Sequence, residues 1–415
     1  MASQEPDPVA PKALDIIART AAFLHDHGQS TSMTLTAVER LSRGLSQPAV
    51  VIPAWASVTA YDPRPGGALI ITTARPNVVN MRRVGVVMRA VDAAEDGPVL
   101  EADIERALME ARNLPVSATT PFVAACALGA AALALVFGAT DVRVIALVAA
   151  AAGIGGLLRR LSGRFSVGPL VETFGAALVA GVAGAIAVHA DFGHAALVAV
   201  CPAMVLVPGP QILIGAMDLL ALRVPLAVAR LSYAALVLAT IAAGLIVGLR
   251  VGGQSLAVTS PSTDVPFLVD VFAAGVAAAC YPVFFSMPYR LLGWPIVAGM
   301  AAHALHWWSM TAWHASLPTA ALFSCLLVGA LLTPVAYRLR IPFAAIGFAA
   351  VVALVPGVYV FRTVAGLAEM VSAPTTELML DIGMNGVTAA LTVACMALGL
   401  TLPTFVRDRI LSRTQ

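Results

Sequence analysis

The sequence predicts a polytopic α-helical membrane protein of about ten transmembrane helices, built as two inverted five-helix repeats behind an N-terminal cytoplasmic α+β domain. Three observations carry that expectation. The 415-residue chain is 59% hydrophobic and only 12% charged, whereas soluble globular chains carry about 25% charged residues. Its charge is unevenly placed, with 13 acidic and 11 basic side chains in residues 1–117 and the rest thinly spread over apolar sequence. One four-residue motif also occurs twice, in two apolar stretches that are expected to cross the membrane in opposite directions.

Residues 1–10 are acidic and proline-rich and read as disordered. The N-terminus has no signal-peptide h-region, so the first domain (1–117) is expected in the cytoplasm. Within it, residues 12–27 carry apolar side chains at helical spacing, with Gly28 as C-cap. Residues 35–45 read as a second helix. The β-branched stretches AVVIPAWASVTAYD and ALIITTA read as strands, separated by the turn residues DPRPGG. Two further helices are expected near 82–94 and 101–113. His25-Asp26-His27 looks like a metal cluster, but neighbouring residues point to different helix faces, so a solvated helix end is expected.

From Pro121 onwards, apolar spans fall near 121–138, 142–158, 169–188, 195–217 and 226–249, forming the first repeat (118–265). Those near 266–287, 294–313, 317–336, 341–362 and 385–403 form the second, with the tail (266–415). Each has about the twenty residues needed to cross a hydrocarbon core of about 30 Å. Ten spans put both termini in the cytoplasm of a cell's inner membrane. The arginines agree: eleven lie at or beyond predicted cytoplasmic ends, and only Arg143, Arg250 and Arg362 lie at outer ends. Residues 365–384 read as the longest outer loop. The five cysteines sit inside apolar spans without CxxC spacing, which favours buried hydrophobes over disulfides or zinc.

The repeated motif is Leu206-Val207-Pro208-Gly209 in the fourth span and Leu354-Val355-Pro356-Gly357 in the ninth. Proline removes an amide donor, and glycine relaxes the helical dihedrals. An unwound turn exposes backbone dipoles, which a bilayer tolerates only beside protein or a water-filled cavity. Broken helices at matching places in two halves are the signature of a secondary transporter, although a plain kink is the alternative. Alanine at both residues of a break is expected to restore the helix and raise stability slightly. The substrate-binding candidates are Pro208, Gly209, Gln211, Pro356, Gly357 and Arg362. Ionisable groups within spans are costly, which makes Glu172, Asp218, Asp270 and Arg230 the coupling or gating candidates. Glu172 and Asp270, each four residues into a span, can equally be read as reaching the headgroups. His303 and His306 share a helix face, and core packing is favoured over a proton relay. No phosphate-binding loop or serine nucleophile elbow is present, and no metal, cofactor or nucleic-acid partner is expected.

The motifs PGPQILIGAMDLL…ARL, LVPGVYVFRT and, in the first domain, RRVGVVMRAVD resemble those of the bacterial threonine/serine exporter family over nearly the whole chain. The similarity falls on Pro208, Gly209, Asp218, Arg230, Pro356, Gly357 and Arg362. It implies export of small hydroxy amino acids by the proton-motive force, with self-association left open. Split two-chain relatives imply dicarboxylate export as an alternative. A membrane-bound hydrolase or sensor is a third reading, and no catalytic constellation supports it.

The orientation is directly testable. A cysteine introduced at position 372 should react with impermeant thiol reagents on intact cells, and one at position 162 should not. The reverse labelling pattern would sink both the orientation and the inverted-repeat reading.

Overall fold

Residues 11–76, 79–165, 167–253, 265–339, 341, 343–370 and 374–411 are described here, in a computed structural model. The N-terminal part folds around one helix, α1 (Lys12–Asp26), whose buried residues cover all but a strip carrying Lys12, Asp15, Arg19 and Asp26. A helix with so wide an apolar face must be covered on most sides. Its neighbours are α2 (Thr31–Gly44), α3 (Met81–Asp92), α4 (Glu101–Asn113) and an antiparallel sheet in the order β1 (Val50–Pro53), β2 (Ser57–Tyr61), β3 (Leu69–Thr73). The register pairs Val51 with Ala60 and Thr59 with Ile71. Leu14, Ile17, Leu24, Leu41, Val58, Val84 and Ile104 fill a core separate from that of the membrane helices.

Two caps fix how α1 meets α2. Gly28, at φ +85°, ends α1, with Gly28 N–H bonding His25 C=O and Gln29 N–H bonding Leu24 C=O. Ser30 Oγ then accepts from Met33 N–H, so α2 begins at Thr31, four residues earlier than its apolar pattern suggests. The connection is therefore only a few residues long. It sets the last turn of α1 beside the first turn of α2.

The rest of the chain is helical: α5 (Thr119–Val136), α6 (Val142–Ser162), α7 (Pro169–His189), α8 (Ala195–Met204), α9 (Gly209–Leu220), α10 (Val224–Val251), α11 (Phe267–Phe284), α12 (Gly293–Ala312), α13 (Leu317–Leu339), α14 (Phe343–Val351), α15 (Gly357–Met370) and α16 (Thr376–Leu411). Among the described residues, seven helices are long and apolar enough to cross a membrane, and nine spans result if each bent pair counts as one. The pairs are α8–α9, bent by 62°, and α14–α15, bent by 67°. The twenty-residue α12 falls outside that count because His303, His306 and its tryptophans make it less apolar.

The same helix pairs pack in both halves. α7 lies along α10 as α13 lies along α16, and the bent pairs touch α6 and α12 respectively. Glycines allow the first two contacts to be backbone on backbone. Gly181 faces Leu245 C=O and Gly248 faces Leu178 C=O in one half, while Gly399 faces Leu322 C=O in the other. Between the halves, α5 lies against α11, where Gly129 meets Cys280.

The two breaks carry the same hydrogen bonds. Val207 N–H reaches Met204 C=O, Gly209 N–H reaches Val207 C=O, and Ile212 N–H reaches Pro208 C=O. In the second break the bonds are Val355 to Val352, Gly357 to Val355 and Val360 to Pro356. Every position is displaced by 148 residues. The breaks also meet: Gly209 lies under the Phe348 ring and Gly357 against Met204. Tyr281 of α11 donates its hydroxyl to Met204 C=O at 3.2 Å, giving that carbonyl a second donor beside Val207 N–H.

Several expectations need correction. The 365–384 segment is not a long loop, because α15 runs to Met370 and α16 starts at Thr376. With 36 residues, α16 is about 54 Å long, well beyond one bilayer core. Residues 371–373 lie outside the described set, as do residues 1–10, Arg340 and Arg413. Alanine at the first break would not raise stability, since a Cβ on Gly209 coincides with the Phe348 ring, which is buried.

Gly209→Ala is therefore expected to lower the thermal midpoint in detergent, at an overpacking cost of about 1–3 kcal/mol. Phe348→Leu in the same chain should recover part of that loss. Gly357→Ala, whose nearest neighbours are atoms of the flexible Met204 side chain, should cost less. Equal losses at the two glycines would contradict this packing.

Candidate functional site

The tight α1–α2 connection brings two polar side chains of the N-terminal part onto the membrane helices. His25 is fully buried and Thr31 is 1% exposed. Facing them are Asp218, near the end of α9, and Arg230, in the second turn of α10, each 1% exposed. Asp218 accepts from Thr31 Oγ1 at 3.0 Å, from Arg230 Nε at 3.1 Å and from Arg223 Nη1 at 3.1 Å. Arg223 also donates to Ser32 Oγ at 3.1 Å. A buried ion pair stays charged only when its remaining hydrogen-bonding capacity is used, and here two elements from each side supply it.

The guanidinium determines the state of His25. Arg230 Nη2 lies 3.2 Å from His25 Nδ1, and a guanidinium can only donate. Nδ1 must therefore accept, which places the ring proton on the buried Nε2; the backbone of Ala54 and Trp55 lies close to the ring. Burial first, and then the Arg230 charge, lower the imidazole pKa from 6.5 to about 4. The expectation of a solvated helix end at His25 is thus overturned. His25 continues the buried stripe Leu14, Ala18, Ala21, whose helical spacing was the available signal. His27 instead points along α3, its Nε2 3.2 Å from Arg83 Nη1.

Other contacts seat the same surface. Trp55, in the β1–β2 turn, packs on Tyr233 of α10 with ring centroids 5.1 Å apart. Met81 N–H bonds Phe285 C=O at 2.8 Å, and Ser117 bonds Val283 C=O and Ser286 beyond the end of α11. A cavity of about 370 Å³ opens beside Arg223, lined also by Ser30, Ser32, Tyr337, Thr401 and Thr404.

The remaining candidates are dispersed. Pro208, Gly209, Pro356 and Gly357 form the paired breaks, and Gln211 is buried in the first turn of α9. A cavity of about 260 Å³ is lined by Val207, Ile212, Leu231, Val355, Gly357 and Val360, so both breaks border it. Arg362 is half-buried with its guanidinium 5.9 Å from the Tyr359 ring, one turn past the second break. Glu172 is half-buried in the first turn of α7. Asp270 belongs to neither group. It lies at the start of α11, far from the N-terminal part, and is 7% exposed. Both its carboxylate oxygens lie 3.1–3.2 Å from Nδ1 of His303, and the His306 ring follows at 6.1 Å from that of His303. His303 was expected simply to pack in the core. It is buried, but it is also bonded to a carboxylate. Among the described residues no group of three or more His, Cys, Asp or Glu side chains could hold a metal ion.

A bundle of long apolar helices with two discontinuous spans meeting at its centre defines a multi-pass membrane protein. Its sequence matches the threonine/serine exporter family profile ThrE over residues 15–252, and a second threonine/serine exporter profile, ThrE_2, over residues 270–406. The chain belongs to the threonine/serine exporter family, which is a family of transporters. The first match takes in the N-terminal part with α5–α10, and the second takes in α11–α16 up to residue 406. Neither a curated protein nor a solved structure matches it.

The neutral His25 has a pH consequence. A base whose pKa is lowered in the folded protein contributes stability that is complete above pH 6.5 and lost as pH falls towards 4. By pH 5 the loss is about 2 kcal/mol. Glutamine can still accept from Arg230 but does not titrate. His25→Gln should therefore lose less thermal stability than the wild type between pH 7.5 and pH 5, and parallel losses would refute a neutral His25.

Proposed function

We propose that this chain exports threonine and serine from the cytoplasm across the inner membrane, driven by inward proton flow, through alternating access of two inverted five-span halves. In this reading α12 is the tenth span. Its twenty residues reach about 30 Å, and its polar histidine faces the protein interior. Both termini and the N-terminal part then lie in the cytoplasm. The observation that carries the reading is the pair of Pro-Gly breaks, with one hydrogen-bond pattern and one shared cavity. Such breaks expose helix-end dipoles beside protein, where an amino-acid zwitterion can be held.

The two breaks are not chemically equal. Pro210 removes an amide from the first turn of α9, whereas α15 keeps Val358 and Tyr359 there. These amides have, by position, no intrahelical acceptor. The substrate carboxylate is therefore assigned to the start of α15, with Arg362 a turn away, and its ammonium to the carbonyl end of α8. The apolar lining of the cavity also favours a net-neutral amino acid over a dicarboxylate such as succinate.

Asp270 and His303 are the proposed proton carriers. A carboxylate paired with an imidazole inside a bundle, towards the outer side, can take up and release one proton. One charge moving through 100 mV yields about 2.3 kcal/mol, which sustains a gradient of roughly forty-fold. Counterflow in proteoliposomes with labelled threonine, serine, alanine and succinate tests the substrate. Threonine and serine should exchange, and a pH gradient should drive net threonine movement. Asp270→Asn should retain exchange but lose gradient-driven accumulation. Exchange of succinate but not threonine would overturn the substrate assignment, and indifference to the gradient would overturn the coupling.

A further inference from the structure

The Asp218 cluster contains a chemical coincidence. In a member of a threonine/serine exporter family, the N-terminal part offers the buried carboxylate a threonine hydroxyl, from the sequence Ser30-Thr31-Ser32. We infer that this segment is a built-in substrate mimic: Thr31 occupies on Asp218 the place taken by the hydroxyl of a threonine or serine arriving from the cytoplasm. The docked domain thereby competes with substrate for the first binding step. The inference rests on the export function proposed above and adds to it an access site with its own inhibitor.

Three features of the site fit that role. Asp218 is one carboxylate facing two guanidiniums, those of Arg223 and Arg230. The trio carries one net positive charge, which the carboxylate of an amino acid can balance. Arg223 also borders the cavity of about 370 Å³, whose lining mixes Ser30, Ser32, Thr401 and Thr404 with apolar side chains such as Met217 and Phe343. Space for the rest of a small amino acid therefore lies beside the residues that flank Thr31. Finally, the N-terminal part donates to Asp218 through a hydroxyl, that of Thr31, while Ser32 Oγ and His25 Nδ1 accept from Arg223 and Arg230. Lifting the domain would leave Asp218 with only its arginines and expose the cluster. A free threonine could then supply the missing hydroxyl.

Competition of this kind lowers apparent substrate affinity by the fraction of time the site is open. Thr31→Val keeps the shape of the side chain and removes the donor. Losing a hydrogen bond to a charged group should weaken docking roughly tenfold. The KM for threonine in proteoliposome counterflow should fall by up to that factor while kcat is maintained, and Thr31→Ser should keep the wild-type KM. A second measurement leaves Thr31 intact. Cysteines replacing Trp55 and Tyr233, which touch in the docked state, should form a disulfide more slowly in saturating threonine than in leucine. An unchanged or raised KM in Thr31→Val, or a crosslinking rate indifferent to threonine, overturns the mimic while leaving export itself intact. Absence of threonine and serine counterflow in the wild-type protein overturns the proposed function instead. If Thr31→Val does not fold, the crosslinking result alone decides.

Discussion

The whole membrane part answers to one constraint: in hydrocarbon, a peptide group without a partner costs several kcal/mol. Continuous helices satisfy it span by span. The two broken helices satisfy it only because they are placed against each other and against α11, where Tyr281 supplies a hydroxyl to Met204 C=O. The Gly209–Phe348 and Gly357–Met204 contacts then follow, since breaks sheltered by protein must lie in the middle of the bundle. The same rule explains why each break uses short bonds, such as Gly209 N–H to Val207 C=O, rather than leaving the turn open.

The Asp218–Arg230 pair meets the constraint differently. A charged pair buried this deeply needs all its donors and acceptors matched, and the membrane helices alone do not match them. The N-terminal part completes the set with His25 and Thr31. Folding of the small unit and electrostatics of the membrane unit are thereby linked through a few atoms. This link accounts for a histidine held neutral on the buried, otherwise apolar face of α1.

Much of the architecture was legible in the sequence because membrane spans are long and their signal is composition. The repeated Pro-Gly motif was legible for the same reason, as a rare pattern against an apolar background. Helix ends were read less well. α2 begins at Thr31 because Ser30 caps it, and α15 and α16 run through what looked like a loop because acidic residues there still suit helices. Asp218 and Arg230 could be singled out as charges in apolar sequence, but not as partners of His25 and Thr31, which lie about two hundred residues away. His303 is buried as its place on an apolar helix face suggested, but that face gives no hint of the carboxylate on the neighbouring helix to which it bonds. Long-range polar pairing leaves little trace in a single sequence, whereas burial of a stripe such as Leu14, Ala18, Ala21 and His25 does leave one.

The glycine contacts between α7 and α10, and between α13 and α16, bear on how such a molecule can move. Side chains give an interface alternative rotamers, and so alternative fits. Where Gly181 and Gly248 set carbonyl oxygens directly against the opposite backbone, there is nothing to rotate. Each pair is then a girder, able to tilt as a whole but not to shear along its seam. Any change of shape has to be taken up elsewhere, at surfaces built from Phe348, Met204 and Tyr281, whose side chains can turn. Stiff struts and soft joints are thus written into the chain by the choice between glycine and larger residues.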